Sequence, residues 1–123
     1  MWKPFNPNPE GIKTIDCTVR AICAVTGWSW YRSFDTLCER AREMSDMPSS
    51  DRVWWSVLED LGFRHYHIKN RCQACYTVED FARDHPYGVF VLAPNEHAVA
   101  VIEGDWYDSW DSGSSAPIFY FGR

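Results

Sequence analysis

The sequence has no run of about 18 apolar residues, the minimum for a helix that spans a bilayer, and no stripe of clustered lysine and arginine. With a formal net charge of −5, that distribution argues against a protein that grips nucleic-acid phosphates or an anionic membrane surface. Internal repeats and low-complexity tracts are missing too. So is a secretory signal: Met1-Trp2-Lys3-Pro4-Phe5-Asn6-Pro7-Asn8-Pro9 holds no apolar core followed by a small-residue cleavage site. These absences lead to the expectation of a cytosolic protein with no nucleic-acid or membrane partner. Thiols in that compartment stay reduced. The five cysteines are therefore expected to be catalytic, metal-binding or buried, not a disulfide framework.

What is present suits one domain over residues 1–123. Hydrophobic residues make up 46% and aromatics 16%, enough large side chains to build a core in a short chain. Proline at positions 4, 7 and 9 keeps residues 1–13 out of helix and central strand, so they read as an extended arm. From Cys17 to Thr26 the chain is an apolar helix, with Asp16 or Thr14 available as N-cap and Gly27 as its stop. A second helix runs from a Ser29 cap to about Glu43, and a third from Asp51 to Leu61. Phe63–Ile68 reads as a strand, and Thr77-Val78-Glu79-Asp80 opens a short helix that Pro86 ends. Strand-like runs follow at 88–93, 97–102, 106–110 and 117–121. Helices first and an antiparallel sheet after them predict an α+β fold.

Cys17 stands where chemistry has a physical foothold. A thiol must ionise to attack, and the unpaired N–H groups at a helix start favour the thiolate. Cys23 and Cys38 fall inside helices, where a thiol is a small hydrophobe. Among the four histidines, His65 and His67 alternate on a strand and are expected to face solvent, and His85 reads as a cation at a helix end. His97 opens the apolar strand His97-Ala98-Val99-Ala100-Val101-Ile102 at its junction with a polar loop.

Glu103-Gly104-Asp105 is a hairpin signal. Read as a three-residue loop, it pairs Ile102 with Trp106 and sets His97 opposite Asp111 on one face. Asp111 is then the carboxylate placed to orient the imidazole. Asp108 is the alternative, on the other face unless a bulge or a one-residue slip intervenes. On the same alternation Trp110 points away from Asp111, leaving Ser109 or Ser112 to wall a substrate.

A competing site lies at Cys72-Gln73-Ala74-Cys75 with His65 and His67, four groups of the right chemistry for tetrahedral zinc. One C-x-x-C is a weak signal, and a redox role lacks the βαβ context such pairs use.

Asp16-Cys17 ahead of an apolar helix, then His97 leading a strand of small and aliphatic residues, then an aspartate past a hairpin, together resemble the papain-like cysteine peptidase superfamily. The Asp-Cys pair is similar to that of bacteriocin-leader-processing peptidases. The segments Thr77-Val78-Glu79-Asp80-Phe81-Ala82, His85-Pro86-Tyr87-Gly88, His97–Gly104 and Tyr107-Asp108-Ser109-Trp110-Asp111-Ser112-Gly113 resemble small bacterial and phage members. The resemblance implies a Cys17 nucleophile, a His97 base and an Asp111 orienting residue, with Asp108 as the alternative. It implies hydrolysis or transfer at a peptide, isopeptide or other amide, no cofactor, and a peptide or protein substrate. Papain-like enzymes usually carry a glutamine shortly before the cysteine to help bind the oxyanion, and Gly11-Ile12-Lys13-Thr14-Ile15-Asp16 has none. Asn8, Asn6 and the Cys17 backbone N–H are the candidate donors. The missing glutamine also keeps open a catalytically weak scaffold that serves as a protein-binding module.

Overall fold

A computed structural model describes residues 1–69 and 75–123. Cys72 lies outside them, and with it the proposed zinc quartet. The elements in chain order are β1 (Trp2–Pro4), α1 (Cys17–Thr26), α2 (Trp30–Met44), α3 (Asp51–Asp60), β2 (Arg64–His67), α4 (Val78–Asp84), β3 (Val89–Pro94), β4 (Val99–Ile102), β5 (Asp105–Asp108) and β6 (Pro117–Gly122). This is an α+β arrangement. No helix among the described residues is long and apolar enough to cross a membrane.

The expected helix signals act where the sequence puts them. Gly27 takes the left-handed conformation (φ 76°) and returns its N–H to Cys23 O at 2.8 Å, the closure glycine allows without a Cβ clash. Ser29 caps α2 by accepting the Arg32 N–H at 3.1 Å. Thr77 and Asp80 form a reciprocal capping box at the start of α4, with bonds of 3.0 and 3.2 Å.

The sheet has six strands in the order β1-β5-β4-β3-β6-β2. All pairs are antiparallel except β1, which runs parallel to β5. The amino-terminal arm thus contributes an edge strand to the sheet and no central one. Pro4 is tolerated because β1 is an edge strand. Beyond it, Phe5 N–H donates to Asp108 O at 2.8 Å, and the Trp2 indole reaches the same carbonyl at 3.1 Å.

Alternation along the strands divides the core between two faces. Val91, Ala93, Ala98, Ala100 and Phe121 join the buried side chains of α1, α2 and α3. Leu92, Val99, Val101 and Trp106 join Val78, Phe81 and Ala82 of α4. The α1 helix is held between α2 and the strands β3, β4 and β5, so its first turn is fixed against the open end of the β4–β5 hairpin.

That hairpin departs from the sequence expectation. Ile102 pairs with Asp105, Val101 with Trp106 and Ala100 with Tyr107, so the loop has two residues and not three. Glu103 and Gly104 both have positive φ, 50° and 80°, the type I′ geometry that matches strand twist. The difference of one residue moves every side chain of β5 to the opposite side of the pairing.

Candidate active site

Cys17 is the first residue of α1 and is half-buried. Asp16 occupies the N-cap position but makes no side-chain cap bond. Its carboxylate turns to Arg20, one turn along the helix, and to the Trp30 indole N–H at 2.9 Å. The first turn of α1 therefore keeps its N–H groups for whatever stands before it. The Cys17 thiol stands beside the His97 ring and the backbone N–H of Ala98, both of which favour its ionised form. Burial pushes the thiol pKa up. The His97 ring and its charge, the Ala98 N–H and the Arg20 guanidinium together outweigh it and hold the thiol below its ordinary range.

His97 Nε2 lies 2.6 Å from Asp108 Oδ2, which leaves Nδ1 for Cys17. Burial works against the imidazolium, but the bond to Asp108 and the charges of Asp108 and Cys17 prevail and raise its pKa to about 9. Asp108 has no exposed surface, and a buried carboxylate is stable only when its oxygens are satisfied. Here Oδ1 accepts from Arg20 Nη2 at 2.9 Å and from Ser109 N–H at 2.8 Å, and Oδ2 accepts from Ser112 Oγ at 2.6 Å as well as His97. Burial raises the Asp108 pKa, yet these partners keep it below the usual carboxylate range.

Asp111 is elsewhere. It is exposed, and its Oδ1 accepts the Trp106 indole N–H at 2.9 Å and the Gly113 N–H at 3.0 Å. The expectation that it faces His97 is corrected by the two-residue turn, which applies the same alternation to Asp108. Continuing the register by one pair brings Asp108 opposite Val99, two residues from His97.

The slip changes the neighbours as well. Trp110 does not turn away from the site: its ring lies 5.0 Å from that of His97. Ser112 is fully buried against Asp108 and walls nothing, while Ser109 lines a cleft. Asn6 donates to the arm carbonyls of Gly11 and Ile12, Asn8 accepts from the Glu10 N–H, and neither lines a cleft at Cys17. Of the three oxyanion candidates, the Cys17 N–H remains at the thiol.

Two clefts meet at the Cys17–His97 pair. The first, about 380 Å³, runs toward Trp54 and Phe119. The second, about 390 Å³, runs past Lys13 and Trp110. Between them stands the turn 94–97, closed by His97 N–H to Pro94 O at 3.2 Å, with Glu96 at φ 51°.

His65 is partly buried among Trp55, Phe119 and Phe121, which corrects its placement in solvent; His67 is exposed. His85 closes α4 and stacks on Phe81 at 3.8 Å. Among the described residues no group of three or more His, Cys, Asp or Glu side chains is placed to hold a metal.

Arg20 is the residue sequence reasoning passed over. Its signal was a charged side chain on an apolar helix, four residues after Asp16 and three after Cys17, the spacings that share a helix face. Comparison with protein-family models, with curated proteins and with solved structures finds no match to the chain.

Proposed function

We propose that the protein is a thiol-dependent hydrolase on a papain-like scaffold, acting on a peptide, isopeptide or related amide. One observation carries the reading: the thiol at the first position of α1 stands beside the His97 ring, and a buried carboxylate holds Nε2 of that ring. The thiolate attacks the carbonyl carbon, and the Cys17 N–H at the helix start faces the oxygen that becomes charged. His97 Nδ1–H passes its proton to the leaving amine as the carbon–nitrogen bond breaks. Water, deprotonated by His97, then releases the acid from the Cys17 thioester and restores the thiol pair. Asp108 fixes the ring's orientation and balances its charge, the third role in triad logic. A nucleophilic thiol suits a reducing compartment, as in a bacterial or phage-infected cytoplasm.

Alkylation by iodoacetamide, followed by peptide mapping, tests the reading. At pH 7 Cys17 is expected to react about tenfold or more faster than Cys38, because only the thiolate reacts. His97→Ala should remove that advantage. Equal rates at Cys17 and Cys38, unchanged by His97→Ala, would overturn the proposal. A second reading, a papain-like binding module without turnover, draws on Asn6 and Asn8, whose side chains are engaged within the arm. It is favoured if a captured protein partner is retained equally by Cys17→Ala.

A further inference from the structure

We infer that β2 is a docking edge for an extended acidic segment of a partner protein, separate from the thiol site. Ile68 N–H donates to Ile118 O at 3.2 Å, and the register pairs Tyr66 with Tyr120 and Arg64 with Gly122. Bonded and non-bonded pairs alternate along an antiparallel ladder. The backbone groups of Arg64, Tyr66 and Ile68 therefore turn to β6, and those of His65 and His67 turn outward. β2 ends the strand order, four places from β5 and its Asp108, and no described residue bonds to the outward groups. Such a row of N–H and C=O groups is a template for another extended chain.

The side chains beside this edge select the partner. Alternation puts Arg64 and Tyr66 on one face of β2, where with Phe90, Tyr120 and Arg123 they border a groove of about 570 Å³. Tyr66 is 44% exposed and stacks on Tyr120 with ring centroids 5.1 Å apart. The groove stays open at Gly122, where a Cβ would meet the Phe90 ring at 3.2 Å. No aspartate or glutamate lines it. The Arg64 side chain is exposed and makes no hydrogen bond or ion pair among the described residues, and the same holds for Lys69 just past the strand. A carboxylate opposite Arg64 matches the guanidinium fork, and an apolar residue two places away on the same face covers Tyr66. A second copy of β2 fits poorly, because self-pairing gathers the cations of both copies on one short edge. A polyphosphate chain meets the net charge of −5 carried by the rest of the protein. A short acidic peptide needs only these few cations and supplies the backbone groups that the edge lacks.

NMR titration of the isotope-labelled protein with acetyl-Glu-Thr-Phe-Thr-Glu-amide tests this. Added antiparallel, the peptide sets Phe opposite Tyr66, its last Glu opposite Arg64, and the two Thr opposite His65 and His67. The amide signals of His65 and His67 should move. The glutamate peptide is expected to bind about fivefold tighter than its glutamine counterpart, as suits exposed ion pairs, with a lysine counterpart weakest. Added salt should shrink the difference. N-methylation of both Thr residues, which removes the strand-pairing donors and no charge, should weaken binding by about tenfold or more. Arg64→Gln should abolish the preference for glutamate, and Arg64→Glu should reverse it in favour of the lysine peptide, a gain that a misfolded variant could not show. Equal binding of the three peptides, undiminished binding of the N-methylated one, or shifts centred away from β2 would overturn the inference. So would shifts at His65 and His67 that follow protein concentration without peptide, which assign the edge to a second copy. A short oligothymidylate that moves the same signals at lower concentration than the glutamate peptide would assign the groove to nucleic acid and overturn it as well.

Discussion

His97 Nε2 meets Asp108 Oδ2 at 2.6 Å, and the same carboxylate accepts a bond from Arg20 at 2.9 Å. One buried anion thus lies between an imidazole on the sheet side and a guanidinium on α1. Through it the thiol's partner is tied to the helix that carries the thiol. Asp16 extends the chain of alternating charge to Trp30 on α2.

Replacing the two candidate aspartates separates their roles. Asp108→Asn is expected to slow Cys17 labelling by about tenfold or more, because an amide no longer balances the ring's charge or enforces its tautomer. Asp111→Asn should leave the rate of Cys17 labelling unchanged, since an amide oxygen still accepts the Trp106 indole N–H. Asp111→Ala should cost about 1 kcal/mol of stability through that lost bond. Labelling kinetics and urea unfolding on the three variants measure both effects. A rate loss confined to the Asp111 variants would refute the assignment.

The helices, their caps and the hairpin were legible because each is marked locally, by Gly27, Ser29, the Thr77–Asp80 pair and Glu103-Gly104. Cys17 and His97 stood out from their places at element starts, and the structure brings the two together. The third member failed by one residue. Glu-Gly-Asp is compatible with loops of two or three residues, and only the paired strands choose between them. Arg20 was invisible for a different reason: its value comes from Asp108, 88 residues away, and no local pattern reports that meeting.

Arg20 is itself testable. Arg20→Met leaves Asp16 and Asp108 buried without their shared cation and is expected to cost about 3–5 kcal/mol. Arg20→Lys keeps the charge but not the two-pronged geometry, and should recover part of the stability. Arg20 is among the groups that hold the Cys17 thiol below its ordinary range. The pH of half-maximal labelling should therefore rise in Arg20→Met and return toward the wild-type value in Arg20→Lys. A merely structural Arg20 would change stability without moving that profile.

The ion pair has a distinctive linkage to pH. His97 is raised from 6.5 to about 9, so its stabilisation is complete below the unfolded value and lost as pH rises through about 9. Cys17 is lowered from 9.0, so its contribution is complete above the unfolded value and lost as pH falls through the folded one. Where the two windows overlap, below about pH 9, the slopes oppose each other, since one proton is held in either state. Wild-type stability is expected to be nearly flat there. Cys17→Ala removes one slope and keeps the Asp108 partner of His97, so its urea midpoint should fall across this range. The expected drop is about 1–2 kcal/mol. A Cys17→Ala profile as flat as the wild type would show that His97 is not held as imidazolium.

The hairpin turn gives the last test, because the register it sets is what brings Asp108 to His97. Glu103 at φ 50° occupies a position that asparagine adopts more easily. Glu103→Asn should raise stability by about 0.5 kcal/mol, the scale of a relieved turn residue. The labelling rate should not change, since the register is kept. Gly104→Ala acts in the opposite direction. Its φ is +80°, a conformation L side chains rarely adopt, while an added Cβ would make only ordinary contact with Ala82 O and Pro86 Cα at 3.4 Å, so backbone strain opposes it. It should destabilise the fold by about 1–2 kcal/mol. If the strained turn is relieved by a third loop residue, β5 slips by one place and Asp108 leaves His97. Thermal unfolding and Cys17 labelling on the same samples separate the outcomes. A lowered midpoint with normal labelling means the register held; loss of both means the turn alone had been keeping Asp108 against His97.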